Sequence, residues 1–556
     1  MITFTIDGKS LQTEDGRTII EAAREHGIDI PHFCWHPKLS MSGNCRMCLV
    51  EVEKLPKLVI ACGTKVVEGM VVHTGTPRVI NAREAVMEFL LINHPLDCPI
   101  CDEAGECKLQ DYAYKHSVGY SRFSEDKQHK PKRVELGPHV MLDTERCIMC
   151  SRCVRFCAEI AKAPQLTFTQ RGDHVELTTF PGEPLDNPYA MNTIDICPVG
   201  ALTSRDFRFR ARVWEMSATD TICPGCARGC SMHSWVRNNE ILRQTPRYNP
   251  DVNDYWMCDR GRLETFKHVN ADSRIKTPVV RKDGETIEMA WDEAIARIAS
   301  EFRVFRKAEI AVFGSAFATN EDNFLLQKFA HEVLGTKYVA VLPHVVAGDE
   351  DALLIRADKT PNWRGAVAVG MANPGGLDAI LKKIREGEIK AAYVVEDNIA
   401  ADPAIAAVLP RLDFLVVHAT NENATTRLAD LVLPAASFAE RHGTYTNFEG
   451  RVQRIRPSVT TLDQDRASDG LAMSRLDRFG TSFDRWGRGT KLDARPSWKI
   501  ITAIASVMGF KYRYAQAEDV FAELASTVDA FKGMTYRSIG NRGSLLAAAH
   551  EQHVRT

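Results

Sequence analysis

The chain has 556 residues, 44% of them hydrophobic and 26% charged, with a formal net charge of −2. That length is too great for one hydrophobic core, so several domains of an ordinary soluble kind are expected. The near-neutral balance gives no reason to expect nucleic acid as a partner, and no uncharged apolar run reaches the ~18 residues needed to cross a bilayer, so direct membrane insertion is not expected.

The opening Met1-Ile2-Thr3-Phe4-Thr5-Ile6-Asp7-Gly8 alternates like a strand and has neither a basic n-region nor an apolar h-region. No secretory signal is read there, and a reducing compartment is expected, where paired cysteines bind metal more often than they form disulfides. All sixteen cysteines lie between Cys34 and Cys258, in four groups.

The first group is Cys34, Cys45, Cys48 and Cys62. The small, polar Ser42-Gly43-Asn44 loop lets backbone amides approach sulfur, and Leu49-Val50-Glu51-Val52-Glu53 alternates like a strand. One loop carrying three ligands with a remote fourth is a [2Fe-2S] pattern, with a longer first loop than the plant ferredoxin spacing. Structural zinc is the plain alternative, since four thiolates suit it equally well. The second group, Cys98, Cys101 and Cys107, is one ligand short, and His94, four residues before Cys98, is the candidate to complete it. An imidazole in place of a thiolate removes one negative charge and raises the reduction potential.

The third group, Cys147, Cys150, Cys153 and Cys157, has the bacterial ferredoxin spacing C-x2-C-x2-C-x3-C, in which the fourth cysteine serves the other cluster. Counting back from Cys197-Pro198 by the offsets of a second run lands on Asn187, Ala190 and Thr193, so a second cluster has lost three ligands. Cys147, Cys150, Cys153 and Cys197 are therefore expected to act together, with Cys157 left over; local closure by Cys157 is the rival choice. The fourth group is Cys223, Cys226, Cys230 and Cys258, for which a zinc ribbon is the alternative. The tail Cys258-Asp259-Arg260-Gly261-Arg262, Pro278-Val279-Val280-Arg281, Gly284 and Trp291-Asp292-Glu293-Ala294 favour a cluster domain fused to a molybdopterin-type fold.

The order of these groups resembles the large iron-sulfur subunit of bacterial NADH:quinone oxidoreductase, respiratory complex I, in the family related to the mitochondrial 75 kDa iron-sulfur subunit. The likeness is strongest over residues 1–270. Thr319 to Lys328 and Gly443 to Gln453 are similar to the molybdopterin oxidoreductase fold that this family shares. The resemblance implies one [2Fe-2S] cluster and three [4Fe-4S] clusters, one of them with a histidine ligand, and a distal fourth cluster kept by only some bacterial members. It implies these domains: 1–78, [2Fe-2S] ferredoxin type; 79–118, histidine plus three cysteines; 138–210, [4Fe-4S] ferredoxin-like; 216–272, a [4Fe-4S] domain of the molybdenum or tungsten oxidoreductase type; and 273–556, a molybdopterin-oxidoreductase-like α/β domain.

Beyond Cys258, Ile310-Ala311-Val312-Phe313, Ala391 to Val395 and Phe414 to Val417 read as buried parallel strands, Phe324 to Leu334 has helical spacing, and a layered α/β domain follows. With no cysteine in this half and no serine standing out, neither metal nor molybdopterin is expected in it. Asp463 to Pro496 reads as a surface loop or linker, and Trp498 to Met508 as a helix. The fold class is thus multidomain, α+β in the cluster domains and α/β beyond them.

No base, nucleophile or substrate pocket stands beside the cysteines, and no GxGxxG or P-loop accompanies a strand, so no catalytic residue is assigned. The chain is expected to relay electrons. The resemblance implies an NADH-oxidising flavoprotein subunit, a ferredoxin-like two-cluster subunit and other peripheral-arm subunits as partners, on the cytoplasmic side of the bacterial inner membrane. The rivals are a diaphorase subunit of an NAD-linked hydrogenase or formate dehydrogenase, an active molybdenum or tungsten formate dehydrogenase, an iron-only hydrogenase and a zinc-rich binding module.

Overall fold

A computed structural model describes residues 1–282, 285–372, 376–464 and 490–547. The chain divides into two compact units, Met1–Glu215 and Met216–Thr556.

In the first unit the alternating N-terminus forms β1 (Ile2–Ile6), which pairs antiparallel with β2 (Lys9–Thr13). β3 (Leu49–Val52), β4 (Val59–Ile60) and β5 (Val71–His73) complete a five-stranded sheet of order β2-β1-β5-β3-β4. Phe4, Ile6, Val50, Val52 and Val72 turn inward, as the period of two requires, against Ile19, Ile20, Ala22 and Ala23 of the helix Ile19–Glu25. That helix starts in a capping box, with the Glu21 carboxylate accepting from the Thr18 amide at 2.9 Å. The helix Pro77–Ile92 begins with proline at its first turn, and the Thr76 hydroxyl accepts from the Val79 amide. Its buried Arg83 donates to the carbonyls of Thr74 and Leu49 and so ties the helix to the sheet.

β6 (Val134–Glu135), β7 (Val140–Leu142), the hairpin β8 (Leu166–Thr169) and β9 (Glu176–Thr179), and β10 (Leu202–Ser204) frame the third cysteine group. The sheet order β10-β7-β6 places the strand that follows Cys197 beside the strand that precedes Cys147.

In the second unit β11 (Ser217–Ile222), β12 (Ser231–Arg237) and β13 (Glu240–Pro246) form an antiparallel meander. The remainder is a three-layer domain. Its sheet has the order β15-β14-β20-β19-β18-β16-β17, from β14 (Val279–Lys282), β15 (Glu285–Glu288), β16 (Ile310–Gly314), β17 (Val339–Val341), β18 (Ala391–Val395), β19 (Phe414–Ala419) and β20 (Leu431–Pro434). The apolar runs expected as parallel strands are β16, β18 and β19, paired parallel and buried throughout because helices cover both faces. One face packs against Trp291–Phe302, Asn320–Phe329, Ser497–Val507 and Ala517–Thr527; the other packs against Gly376–Arg385 and the turns that follow β18. Of the expected loop Asp463 to Pro496, residues 465–489 lie outside the described residues, as does Gly284. No helix among the described residues is long and apolar enough to cross a membrane.

Candidate metal centres

The first cysteine group is brought together at one end of the five-stranded sheet. The Cys34 and Cys62 thiols are within hydrogen-bonding reach of each other, as are Cys34 with Cys45 and Cys48 with Cys62. Gly43 and Arg46 take left-handed backbone, φ +65° and +59°, which curls the loop around the sulfurs. A Cβ at Gly43 would already press on Met41 Sδ at 3.1 Å and Ile60 Cδ1 at 3.2 Å. Amides then point at sulfur, as the loop composition anticipated. Cys34 donates to Cys45 Sγ at 3.4 Å, Asn44 and Cys45 donate to the Cys34 sulfur, and Ala61 and Cys62 to that of Cys48. Donors aimed at sulfur favour the thiolate; the thiol–thiol contacts draw Cys34 and Cys48 below the usual thiol range and push their partners Cys45 and Cys62 above it.

In the second group Cys101 and Cys107 are electrostatic neighbours, both pushed up by burial, Cys107 to about 11. Cys98 opens a short 3-10 turn and is exposed. His94 stands on the loop just after the helix Pro77–Ile92; burial lowers its pKa to about 4 and keeps the imidazole neutral, the form that ligates. No hydrogen bond links His94 to the three thiols. Two features beyond the reach of sequence spacing support this loop. Arg212 donates to the carbonyls of Cys101 and Pro99, and Arg146 holds Asp97 at 2.7 Å.

Cys147, Cys150, Cys153 and Cys197 are electrostatic neighbours, Cys150 and Cys153 buried and Cys147 and Cys197 half-buried, and burial raises all four thiols, Cys147 to about 12. Met149 and Ser151 are left-handed, φ +53° and +62°, and wind the loop between the cysteines before the helix Arg152–Glu159 begins. Cys157 sits toward the far end of that helix, fully buried, its thiol raised to about 12 by burial alone. The positions from which a second run has lost its thiols are filled with core. Asn187 donates to Gln165 at 2.8 Å, Thr193 to the Ala190 carbonyl at 2.7 Å, and all three residues are buried.

The second and third groups interleave. Lys108 N donates to Pro198 O at 3.0 Å, and Gly200 lies so close to the second group that a Cβ there would fall 2.4 Å from Cys101 Sγ. Gly200 carries no local signal of this role, because the contact joins residues about a hundred positions apart.

The fourth group lies where β11 ends and the helix Asp259–Leu263 begins. Cys223 N donates to Cys230 O at 2.8 Å, and Cys258 caps that helix, accepting from Gly261 N at 3.3 Å. The four cysteines, with Met257, Leu354 and Ile355, enclose a small cavity of about 20 Å³. Gly261 forms part of its wall; a Cβ there would meet Cys223 Sγ and Cys258 Sγ at 3.1 Å each. The segment above it is tied down by Ala227 N to Asp358 O at 2.9 Å and Arg228 to Leu353 O at 2.8 Å.

These surroundings fit metal clusters. Buried thiols raised by desolvation are costly to ionise without a compensating cation, and glycine at the wall leaves room against the sulfurs. Among the described residues no three His, Cys, Asp or Glu side chains close tightly enough to grip one ion. A cluster shares its thiolates among several irons, so its ligands surround a volume instead of converging on a point.

A larger cavity of about 410 Å³ opens at the carboxyl ends of β16 and β18, where the strand order reverses. Its lining contains no thiol, and its cations are already engaged: Arg441 with Glu396 and Asp322, Arg260 with Asp349 at 2.7 Å, and Lys359 with Asp349 at 3.1 Å.

Five family models match successive segments. They are a 2Fe-2S iron-sulfur cluster binding domain over residues 1–77, the NADH-ubiquinone oxidoreductase-G iron-sulfur binding region over 83–122 and the ferredoxin-like domain of NADH-quinone oxidoreductase subunit 3 over 137–203. The molybdopterin oxidoreductase Fe4S4 domain matches 216–270, and molybdopterin oxidoreductase 363–467. The chain thus contains 2Fe-2S and 4Fe-4S binding domains in the expected order. Among curated proteins, the G subunit of NADH-quinone oxidoreductase from Rickettsia bellii is 42% identical over 335 residues, 60% of this chain and 48% of that protein. Its namesake from Streptomyces coelicolor is 38% identical over 63% of this chain and 42% of its own length. The mitochondrial NADH-ubiquinone oxidoreductase 78 kDa subunit of Neurospora crassa is 29% identical over 95% of this chain and 84% of that protein. The chain spans about half the length of the Rickettsia relatives. A solved NAD+-reducing [NiFe]-hydrogenase chain is 32% identical over 38% of this chain and 91% of its own, but with a TM-score of 0.35 it carries no weight for the fold. By its domain order and its relatives along most of its length, the chain is similar to the NADH-quinone oxidoreductase G subunits and their mitochondrial counterparts.

Proposed function

We propose that this chain is the electron-relay iron-sulfur subunit of an NADH:quinone oxidoreductase. It receives electrons from an NADH-oxidising flavoprotein subunit and delivers them toward a ferredoxin-like two-cluster subunit and quinone, in a complex that couples this flow to proton translocation. It works as a peripheral subunit on the cytoplasmic side of the bacterial inner membrane. The observation that supports the reading is the clustering of thiols in three of the groups: those of the first and third are hydrogen-bonding or electrostatic neighbours within the group, and the four thiols of the last line one small cavity.

Bound iron-sulfur clusters supply one-electron carriers. The chain's own residues provide the rest. Cys34, Cys45, Cys48 and Cys62 hold the first site, and the amides of Asn44, Cys45, Ala61 and Cys62 direct partial positive charge at its sulfurs. His94 joins Cys98, Cys101 and Cys107 at the second, bringing no charge of its own. Cys147, Cys150, Cys153 and Cys197 hold the third, and Cys223, Cys226, Cys230 and Cys258 the fourth, under Leu354 and Ile355.

An anaerobically purified chain is expected to be brown and to contain about fourteen irons with matching sulfide, as one [2Fe-2S] and three [4Fe-4S] clusters require. Stoichiometric zinc in place of iron would sink the reading. The diaphorase alternative shares the first three sites, but the fourth group fused to the three-layer domain disfavours it.

A further inference from the structure

Two arginines of the third cysteine group reach the first. Arg152 lies between Cys150 and Cys153 in sequence. Its Nη2 donates to Trp35 O at 2.6 Å, one residue after Cys34, and its Nη1 to Ile196 O at 3.1 Å, one residue before Cys197. Its Nε is shielded and has no hydrogen-bond partner. Among the described residues Arg152 forms no ion pair with a carboxylate. Burial opposes its charge, and the groups that favour the charge are the thiols of Cys150, Cys197, Cys34 and Cys45, two from each group. Arg155 runs beside it, donating to Cys34 O, Ser40 O and Cys150 O. Asn44 adds a bond to Met149 O at 2.9 Å and Ser42 one to Ser151 at 3.1 Å. The two ligand loops are thus laced together by both guanidinium groups, and Arg152 is the one whose charge is favoured by thiols of both sites.

We propose that Arg152 is a positioning residue that serves as the shared counter-charge of the first and third cysteine sites and ties their reduction potentials together. This rests on the reading that both groups hold clusters. A guanidinium keeps its charge at any working pH, and its two carbonyl contacts fix where that charge stands. Reduction of either site by one electron adds one negative charge close to a cation that has no carboxylate to neutralise it. A unit charge at such range in a protein interior shifts an equilibrium about tenfold. Because the same cation faces both sites, removing it makes both harder to reduce.

The test compares full-length wild type, R152Q and R152K, each reconstituted anaerobically with iron and sulfide. Iron is counted, and the two signals are followed by electron paramagnetic resonance during titration with dithionite and mediators. With full iron, R152Q is expected to lower the reduced-to-oxidised ratio of both signals about tenfold at the wild-type midpoints, 59 mV for a one-electron couple. R152K keeps the charge but cannot span both carbonyls, and both of its ratios are expected within about threefold of wild type. A loaded R152Q in which either signal stays at its wild-type midpoint overturns the proposal, and so does an R152K that shifts as far as R152Q. Loss of iron from both variants with wild-type circular dichroism would make Arg152 a structural tie only and would overturn it too. A wild-type chain lacking either signal would instead overturn the functional reading, and this inference with it.

Discussion

Replacing Gly200 with alanine should empty the second site without unfolding the chain. The added Cβ would sit 2.4 Å from Cys101 Sγ and 2.9 Å from the Glu103 Cβ. Ordinary contact needs about 3.5 Å, so the sulfur or the Gly200 backbone must retreat by about 1 Å. Metal-ligand distances tolerate only about 0.2 Å, so the displacement is about five times what the site can absorb, and overpacking adds about 1–3 kcal/mol of strain. The left-handed backbone that forbids side chains is not involved, because Gly200 is not among the positive-φ glycines. The assay is iron and sulfide content with resonance spectra: about four irons lost, with the signal of the second site missing. Gly75→Ala, whose Cβ meets nothing within 4 Å, is the matched control. A fully loaded G200A with an unchanged second signal would refute the claim that Gly200 makes room for the Cys101 thiolate.

Cys197→Ser should destroy the cluster of Cys147, Cys150 and Cys153, whereas Cys157→Ser leaves it intact; the reverse pattern in resonance spectra would argue for local closure. His94→Cys should keep its cluster and lower the potential, because a charged thiolate replaces a neutral ring, and His94→Ala should make the cluster labile; absence of nitrogen hyperfine coupling in loaded wild type would remove His94 from the site. Cys258→Ala should impair assembly, yet any assembled complex should pass electrons from NADH to quinone at close to the normal rate per flavin; full flavin with no quinone reduction would put the fourth site on the main path. Glu440→Gln should cost about 3–5 kcal/mol in urea unfolding, since it leaves Arg274, 3% exposed and 2.7 Å from the carboxylate, without its ionic partner. Although burial alone would raise the Glu440 pKa, Arg274 draws it below the usual carboxylate value. Its stabilising contribution is therefore present above about pH 4.3 and lost as pH falls through the lower folded value, so unfolding followed at pH 7 and at pH 3 should show a smaller gap between variant and wild type at the acidic pH.

Ligand spacing was legible in the chain because a loop that grips a cluster is a local object. Cys34, Cys45 and Cys48 share one such loop, and strands such as Ala391–Val395 declare themselves by unbroken apolar runs. Spacing also pointed to Cys197, through the vacated positions 187, 190 and 193, and its thiol is an electrostatic neighbour of Cys147 and Cys150. What spacing could not reveal are the contacts between loops. Arg152 reaches a carbonyl 117 residues away, Arg212 one 111 residues away, and Gly200 presses on Cys101. An arginine inside a cysteine run reads as an ordinary surface charge until the partner loop is in place. The cavity beside β18 was missed for the same reason, since its lining comes from separate strand ends.

The cover over the fourth site carries a kinetic consequence. Cys223, Cys226, Cys230 and Cys258 lie on one short stretch of chain, but the Leu353 carbonyl that Arg228 grips lies 125 residues further on. Contacts that distant in sequence form late in folding, after the local meander of β11 to β13. Metal reaches the four thiols either before that cover closes or through its reopening. Once Leu354 and Ile355 close over the cavity and Ala227 bonds Asp358, exchange requires that segment to lift away. A chelator should therefore strip this site at the rate of local opening, independently of its own concentration once in excess.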